Sequence, residues 1–251
     1  MLLNIHFNMK NIRHPLDLFD AIFCVGNNDE KIQKIKSSLY KQGVETNIVE
    51  QKIQIKENKV NGIFVGQGVN QATLMIAKKI IEKNIKSALI IEENTKVEDC
   101  KNNLFLKKSI ENIKETNWDV IRLSYNLCAH VEDKVIQDSH NYIKFPPRLK
   151  PGYIYGTNMW AMNNKAAVKL IKSFSKCWNK QGELIKSDES REPNYLSPNI
   201  LGVWMSLNLE NYLCMPMIGE PADVGGQKIY KDNYNRWKKE IWKSKKIIIP
   251  S

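Results

Sequence analysis

The chain has 251 residues, 42% of them hydrophobic, and a formal net charge of +11. That is enough to bury a full core, which excludes a disordered or fibrous chain and suits one large domain over residues 1–251. No apolar run approaches the roughly 20 residues of a bilayer-spanning helix, and the opening MLLNIHFNMKNIRHP interrupts its apolar residues with Asn, His and Lys, so the expectation is a soluble, cytoplasmic protein without a signal peptide.

The five cysteines (Cys24, Cys100, Cys128, Cys177 and Cys214) lack C-x-x-C or zinc spacing, and their odd number argues against a complete disulfide framework. A reducing compartment is expected. The positive charge is nearly all lysine spread along the chain, and only the tail NRWKKEIWKSKK concentrates it. This tail, within residues 236–251 for the most part, reads as an amphipathic helix that packs its tryptophans on the domain, with peripheral association to an anionic surface as the alternative. Nucleic acid is a distant reading of the charge, because no recognition module accompanies it.

In chain order, FDAIFCV (19–25) has the β-branched and aromatic character of a buried strand. Next, NND supplies a cap and DEKIQKIKSSLYKQG has helical spacing that Gly43 stops. VETNIVE (44–50) reads as a second strand, and GQGVNQATLMIAKKIIEKN (66–84) as a helix with Leu74, Ala77, Ile80 and Ile81 on one face. KSALIIEEN (86–94) is a third strand. LFLKKSIENIKETN (104–117) is a helix, and WDVIRLSYN (118–126) a further central strand. Residues 128–150 end in KFPPRLKPG and are expected to be a long connection without a regular element. YIYGTNMWAM then reads as a strand, NNKAAVKLIKSF and ILGVWMSLN as helices, and YLCMPMI as an apolar run. Alternating strands and helices predict an α/β fold, a mainly parallel sheet covered by helices.

The chemistry gathers at Ala88–Val97, ALIIEENTKV, where an apolar strand runs into two carboxylates and an amide. Open α/β sheets bind ligands beyond the carboxyl ends of their strands. Continued strand alternation puts Glu92 and Asn94 on one side and Glu93 on the other, two oxygen ligands suited to Mn²⁺ or Mg²⁺ bridging to a diphosphate. The plain alternative is a solvated strand end.

The order of these segments resembles glycosyltransferase family 25, the lipopolysaccharide and collagen type of GT-A sugar transferase. The stretches that carry the resemblance are FDAIFCV (19–25), GQGVNQATLMIAKKIIEKN (66–84), ALIIEEN (88–94), WDVIRLSYN (118–126) and YGTNMWAMNNKAAVKLI (155–171). The resemblance implies a Rossmann-like GT-A domain that transfers a hexose from a UDP-sugar to a glycan or protein hydroxyl. A nucleotide-sugar half would span roughly 17–127 and an acceptor half roughly 128–235. On that mapping Glu92, Glu93 and Asn94 take the three places of a D-x-D-type element, with Glu92 and Asn94 on the metal. Val25, Gly26, Asn27, Gln71 and Asn158 would lie around the nucleotide sugar, with Asp119, which could equally cap or anchor a strand, and Gly156 and Thr157, which could bond acceptor sugar or phosphate or form a tight strand entry.

Departures fall on charged and catalytic-type positions. Asn94 stands where an Asp is expected, the residues after the first strand read GNNDEK, and Asn70-Gln71 and Asn158 replace histidine-containing pairs. Asn199 stands near an expected Asp, and Pro216 is followed by Glu220. A catalytically inactive binding domain on the same fold is the alternative function. An inverting transfer needs one base, for which Asp188, Glu189 and Asp223 are the candidates. His130 and His140 lie in the variable connection. Trp118, Trp160 and Trp204 offer sugar-stacking faces, with core packing as the plainer role.

Overall fold

The computed structural model describes residues 14–52, 64–127, 142–145, 154–155, 158–174 and 198–221. Strand β1 (Ala21–Gly26) is buried throughout, and its alternate side chains serve two cores: Ile22 and Cys24 face one, Ala21, Phe23 and Val25 the other. Asn28 caps α1 (Asp29–Lys41) by accepting the Lys31 N–H at 3.1 Å. Gly43, at φ 83°, takes the left-handed turn that ends it. The strand expected from Val44 begins only at β2 (Ile48–Lys52). Asp17 Oδ1 accepts the Glu45 and Thr46 N–H groups at 2.9 and 2.7 Å, holding those residues as a loop.

Helix α2 (Phe64–Glu82) buries Leu74, Ala77 and Ile80 as their spacing predicts, whereas Ile81 is 38% exposed. Strand β3 (Ser87–Glu92) stops at the first carboxylate, and β4 (Thr95–Val97) follows a two-residue turn. After α3 (Leu104–Lys114), the expected long strand is divided into β5 (Val120–Arg122) and β6 (Asn126–Leu127). Between them the N–H groups of Leu123 and Ser124 both donate to the Met159 carbonyl, at 3.0 and 2.9 Å, which interrupts the ladder.

The connection 128–150 contains β7 (Tyr142–Phe145), contrary to the expectation of no regular element. It ends immediately before Pro146 and lies at the sheet edge, where a following proline removes no ladder bond. The remaining elements are β8 (Ile154–Tyr155), β9 (Met159–Asn163), α4 (Asn164–Phe174), α5 (Pro198–Asn208), β10 (Asn211–Cys214) and β11 (Gly219–Pro221).

The main sheet has the order β2-β1-β3-β9-β5-β10-β7. Strands β2, β1, β3, β5 and β10 run one way, and β9 and β7 run against them. Side chains of α1 and α3 pack on one face, and those of α2, α4 and α5 on the other. This is the expected α/β, Rossmann-like arrangement of a mostly parallel sheet flanked by helices. Two small ladders, β4 with β11 and β6 with β8, complete it. Cys24, Cys100 and Cys214 are buried free thiols whose ionisation burial suppresses. Among the described residues, no helix is long and apolar enough to cross a membrane.

His14 is buried, and its Nδ1 accepts the Leu16 N–H at 3.1 Å. Burial lowers its pKa from the ordinary 6.5, outweighing Asp17, the Gln42 hydrogen bond and Asp99, which raise it, while Lys101 lowers it further. The unfolded chain therefore takes up this proton first as pH falls, so the contribution of neutral His14 is lost below about pH 6.5. Urea midpoints measured between about pH 7 and pH 5.5 should fall in the native protein, and more shallowly in His14→Gln.

Candidate functional site

The connections around β1 create a crevice. From β1 the chain passes through α1 to β2 on one side, and from β2 through α2 to β3 on the other. Sheets wound in both directions open a ligand-binding crevice beyond the carboxyl ends of the strands where the winding reverses. Here Gly26-Asn27-Asn28 and Glu92-Glu93-Asn94 meet, with Val25 directly opposite Glu92 in the ladder.

Glu93 binds the loop that follows β1. Its N–H donates to the Val25 carbonyl at 2.8 Å, and its Oε2 accepts the Asn27 and Asn28 N–H groups at 2.8 and 2.7 Å. Amides entering a helix attract an anion, and here the chain's own carboxylate is that anion. Gly26 makes the approach possible: a Cβ there would lie 2.6 Å from Glu93 Cβ and 2.7 Å from Cδ.

Asn94 Oδ1 accepts from Lys31 Nζ at 2.8 Å. The side-chain oxygen must face the lysine, because an ammonium only donates. The Glu92 N–H donates to the Asn158 carbonyl at 2.9 Å, and the same carbonyl accepts the Thr95 hydroxyl at 2.8 Å. A cleft of about 290 Å³ adjoins the turn, lined by Lys31, Lys34, Ser38, Glu93, Asn94 and Lys96 among others.

The turn after Glu92 breaks the strand alternation that was to align Glu92 with Asn94. The expected Mn²⁺ or Mg²⁺ therefore meets a poor donor set. Glu93 faces the loop amides and Asn94 faces an ammonium. A divalent ion about 4 Å from that ammonium would be repelled by about 8 kcal/mol at an effective dielectric of about 20. Among the described residues, no group of three His, Cys, Asp or Glu side chains is placed to hold a metal. The residues present do not fit a divalent cation held by Glu92 and Asn94.

Of the other expected site residues, Val25 brings its carbonyl to the junction while its side chain lies in the core, and Asn158 brings its carbonyl. Asn27 offers its N–H, already taken by Glu93. Gln71 is half-buried in α2. Asp119, expected near the nucleotide sugar or as a strand anchor, takes the second role, at the amino ends of the parallel strands and away from the acidic turn at their carboxyl ends. It precedes β5, and its carbonyl accepts from Asn163, whose ladder partner is Ser87 at the start of β3. Its buried carboxylate anchors Lys169 Nζ at 2.5 Å and the Glu210 N–H at 3.1 Å, with Lys165 Nζ at 3.5 Å.

Trp118, Trp160 and Trp204 are all buried in the two cores. Asn199 sits in the first turn of α5, Pro216 follows β10, and Glu220 lies across the small ladder from Lys96 at 3.5 Å. Gly156, Thr157, His130, His140, Asp188, Glu189, Asp223 and the basic tail lie outside the described residues. Lys31 is the member of the site that sequence reasoning missed. In the first turn of a lysine-rich helix it has no distinguishing signal, and only the β3–β4 turn gives it a partner.

No known family's sequence profile matches the chain, and no curated protein matches it. Solved structures with a similar chain trace include a glycosyltransferase involved in glycosylation of the major capsid of PBCV-1. It is 11% identical, with a TM-score of 0.30 over 62% of this chain and 65% of that one. An apo UDP-glucose pyrophosphorylase is 11% identical, with a TM-score of 0.39 over 88% of this chain and 82% of that one. A mannose-1-phosphate geranyltransferase from Thermus thermophilus is 9% identical, with a TM-score of 0.38 over 77% of this chain and 72% of that one. Similarity at this level assigns neither family 25 nor an activity.

Proposed function

We propose that the chain is a nucleotide-sugar-dependent transferase of the GT-A kind, moving a hexose from a UDP-sugar to a hydroxyl of a glycan or protein. The observation that carries this reading is the convergence of the β1–α1 loop and the acidic turn after β3 at the winding reversal of the sheet. An ammonium and carboxylates gathered at the carboxyl ends of the strands are groups that can position phosphates and sugar hydroxyls. Chain elements beyond β5 would supply the acceptor side and the base.

A non-catalytic sugar- or protein-binding domain is the second reading, favoured by Glu93 already holding the loop amides. Titration with UDP and a panel of UDP-hexoses, with and without Mn²⁺, tests the first. Saturable binding that Glu92→Ala weakens supports it, and absence of binding to every nucleotide sugar in either condition rejects it. Release of UDP in the presence of glycan or peptide acceptors then separates a transferase from a binding domain.

A further inference from the structure

We propose that the ammonium of Lys31, held by Asn94, takes the place of a divalent metal and binds the diphosphate of the nucleotide sugar. This rests on the transferase reading above. Lys31 Nζ lies 2.8 Å from Asn94 Oδ1, in the turn where the family resemblance puts a metal ligand. An ammonium has three donors, so the bond to Asn94 leaves two for phosphate oxygens. As a compact point charge it offsets diphosphate charge as a cation would, without coordination demands.

The identity of residue 94 then has a physical reason. An aspartate there would pair with Lys31 and cancel its charge, whereas a neutral amide orients the ammonium and leaves the charge available to a ligand. The surroundings add to it: Lys34 and Lys96 line the same cleft, and Lys96 is balanced by Glu220 at 3.5 Å. At about 290 Å³ the cleft is large enough to admit a diphosphate group. Glu93 keeps the loop amides occupied, so the cleft offers a phosphate lysine ammoniums, of which Lys31 is the one oriented by the acidic turn through Asn94.

The test is UDP titration by calorimetry in EDTA and in Mn²⁺, on the native chain, Lys31→Met, Lys31→Arg and Asn94→Asp, each first checked for native unfolding behaviour. The expected result is UDP affinity in EDTA within about twofold of that in Mn²⁺. Lys31→Met should weaken it about tenfold or more, Lys31→Arg should retain most of it, and Asn94→Asp should weaken binding in EDTA. If UDP binds only with Mn²⁺, or binds without metal but equally well to Lys31→Met, the lysine assignment is overturned while the nucleotide-sugar reading stands. If UDP and UDP-sugars bind under neither condition, the transferase reading falls and this assignment with it.

Discussion

Replacing Trp160 with alanine will lower the stability of the protein by about 3–5 kcal/mol, measured by urea unfolding. Trp160 is 1% exposed and lies in β9 between β3 and β5, opposite Ile90 on one side and Arg122 on the other. Its indole shares a core with Phe23, Ile90, Ala166 and Trp204. Truncation removes the transfer free energy of the ring and leaves a cavity that strands held on both sides cannot close. Trp160→Phe should cost less and leave UDP affinity unchanged. A sugar-stacking tryptophan would give the reverse: near-native stability with loss of ligand.

The second large effect is expected at Asp119, where alanine should cost about 2–3 kcal/mol. The carboxylate is fully buried, whereas Lys169 and Lys165 are 39% and 47% exposed. On loss of Asp119 the ammoniums can turn to water, which keeps the cost below the ~3–5 kcal/mol of a pair buried on both sides. The Glu210 N–H cannot follow them and loses its acceptor. Asp119→Asn keeps an oxygen for that N–H and should fall between alanine and the native protein. UDP affinity should not change, because the residue sits at the amino ends of the parallel strands, the opposite end from the acidic turn. Lost UDP binding with native stability would return Asp119 to the ligand site.

Much of the scaffold was legible in the sequence because short-range physics sets it. Apolar runs bounded by caps and a stop glycine place β1, α1, α2, β3, α3 and α4 close to their observed bounds. Where the reading failed, the cause was a partner distant in sequence. Asp17 delays β2 by holding residues 45 and 46, and the Met159 carbonyl divides the strand begun by Trp118. Strand β7 exists because β10 offers it an edge.

The same division runs through the site. Residue order alone was sufficient to place carboxylates at the end of a buried strand, since hydrophobic burial stops where Glu92 begins. Their roles followed from packing. The chain turns after Glu92, Glu93 is drawn 66 residues back along the chain to the amides of Asn27, and Asn94 meets Lys31, 63 residues away. Side-chain direction at a turn and the sign of the nearest charge are properties of packed neighbours, and residue type alone carries neither.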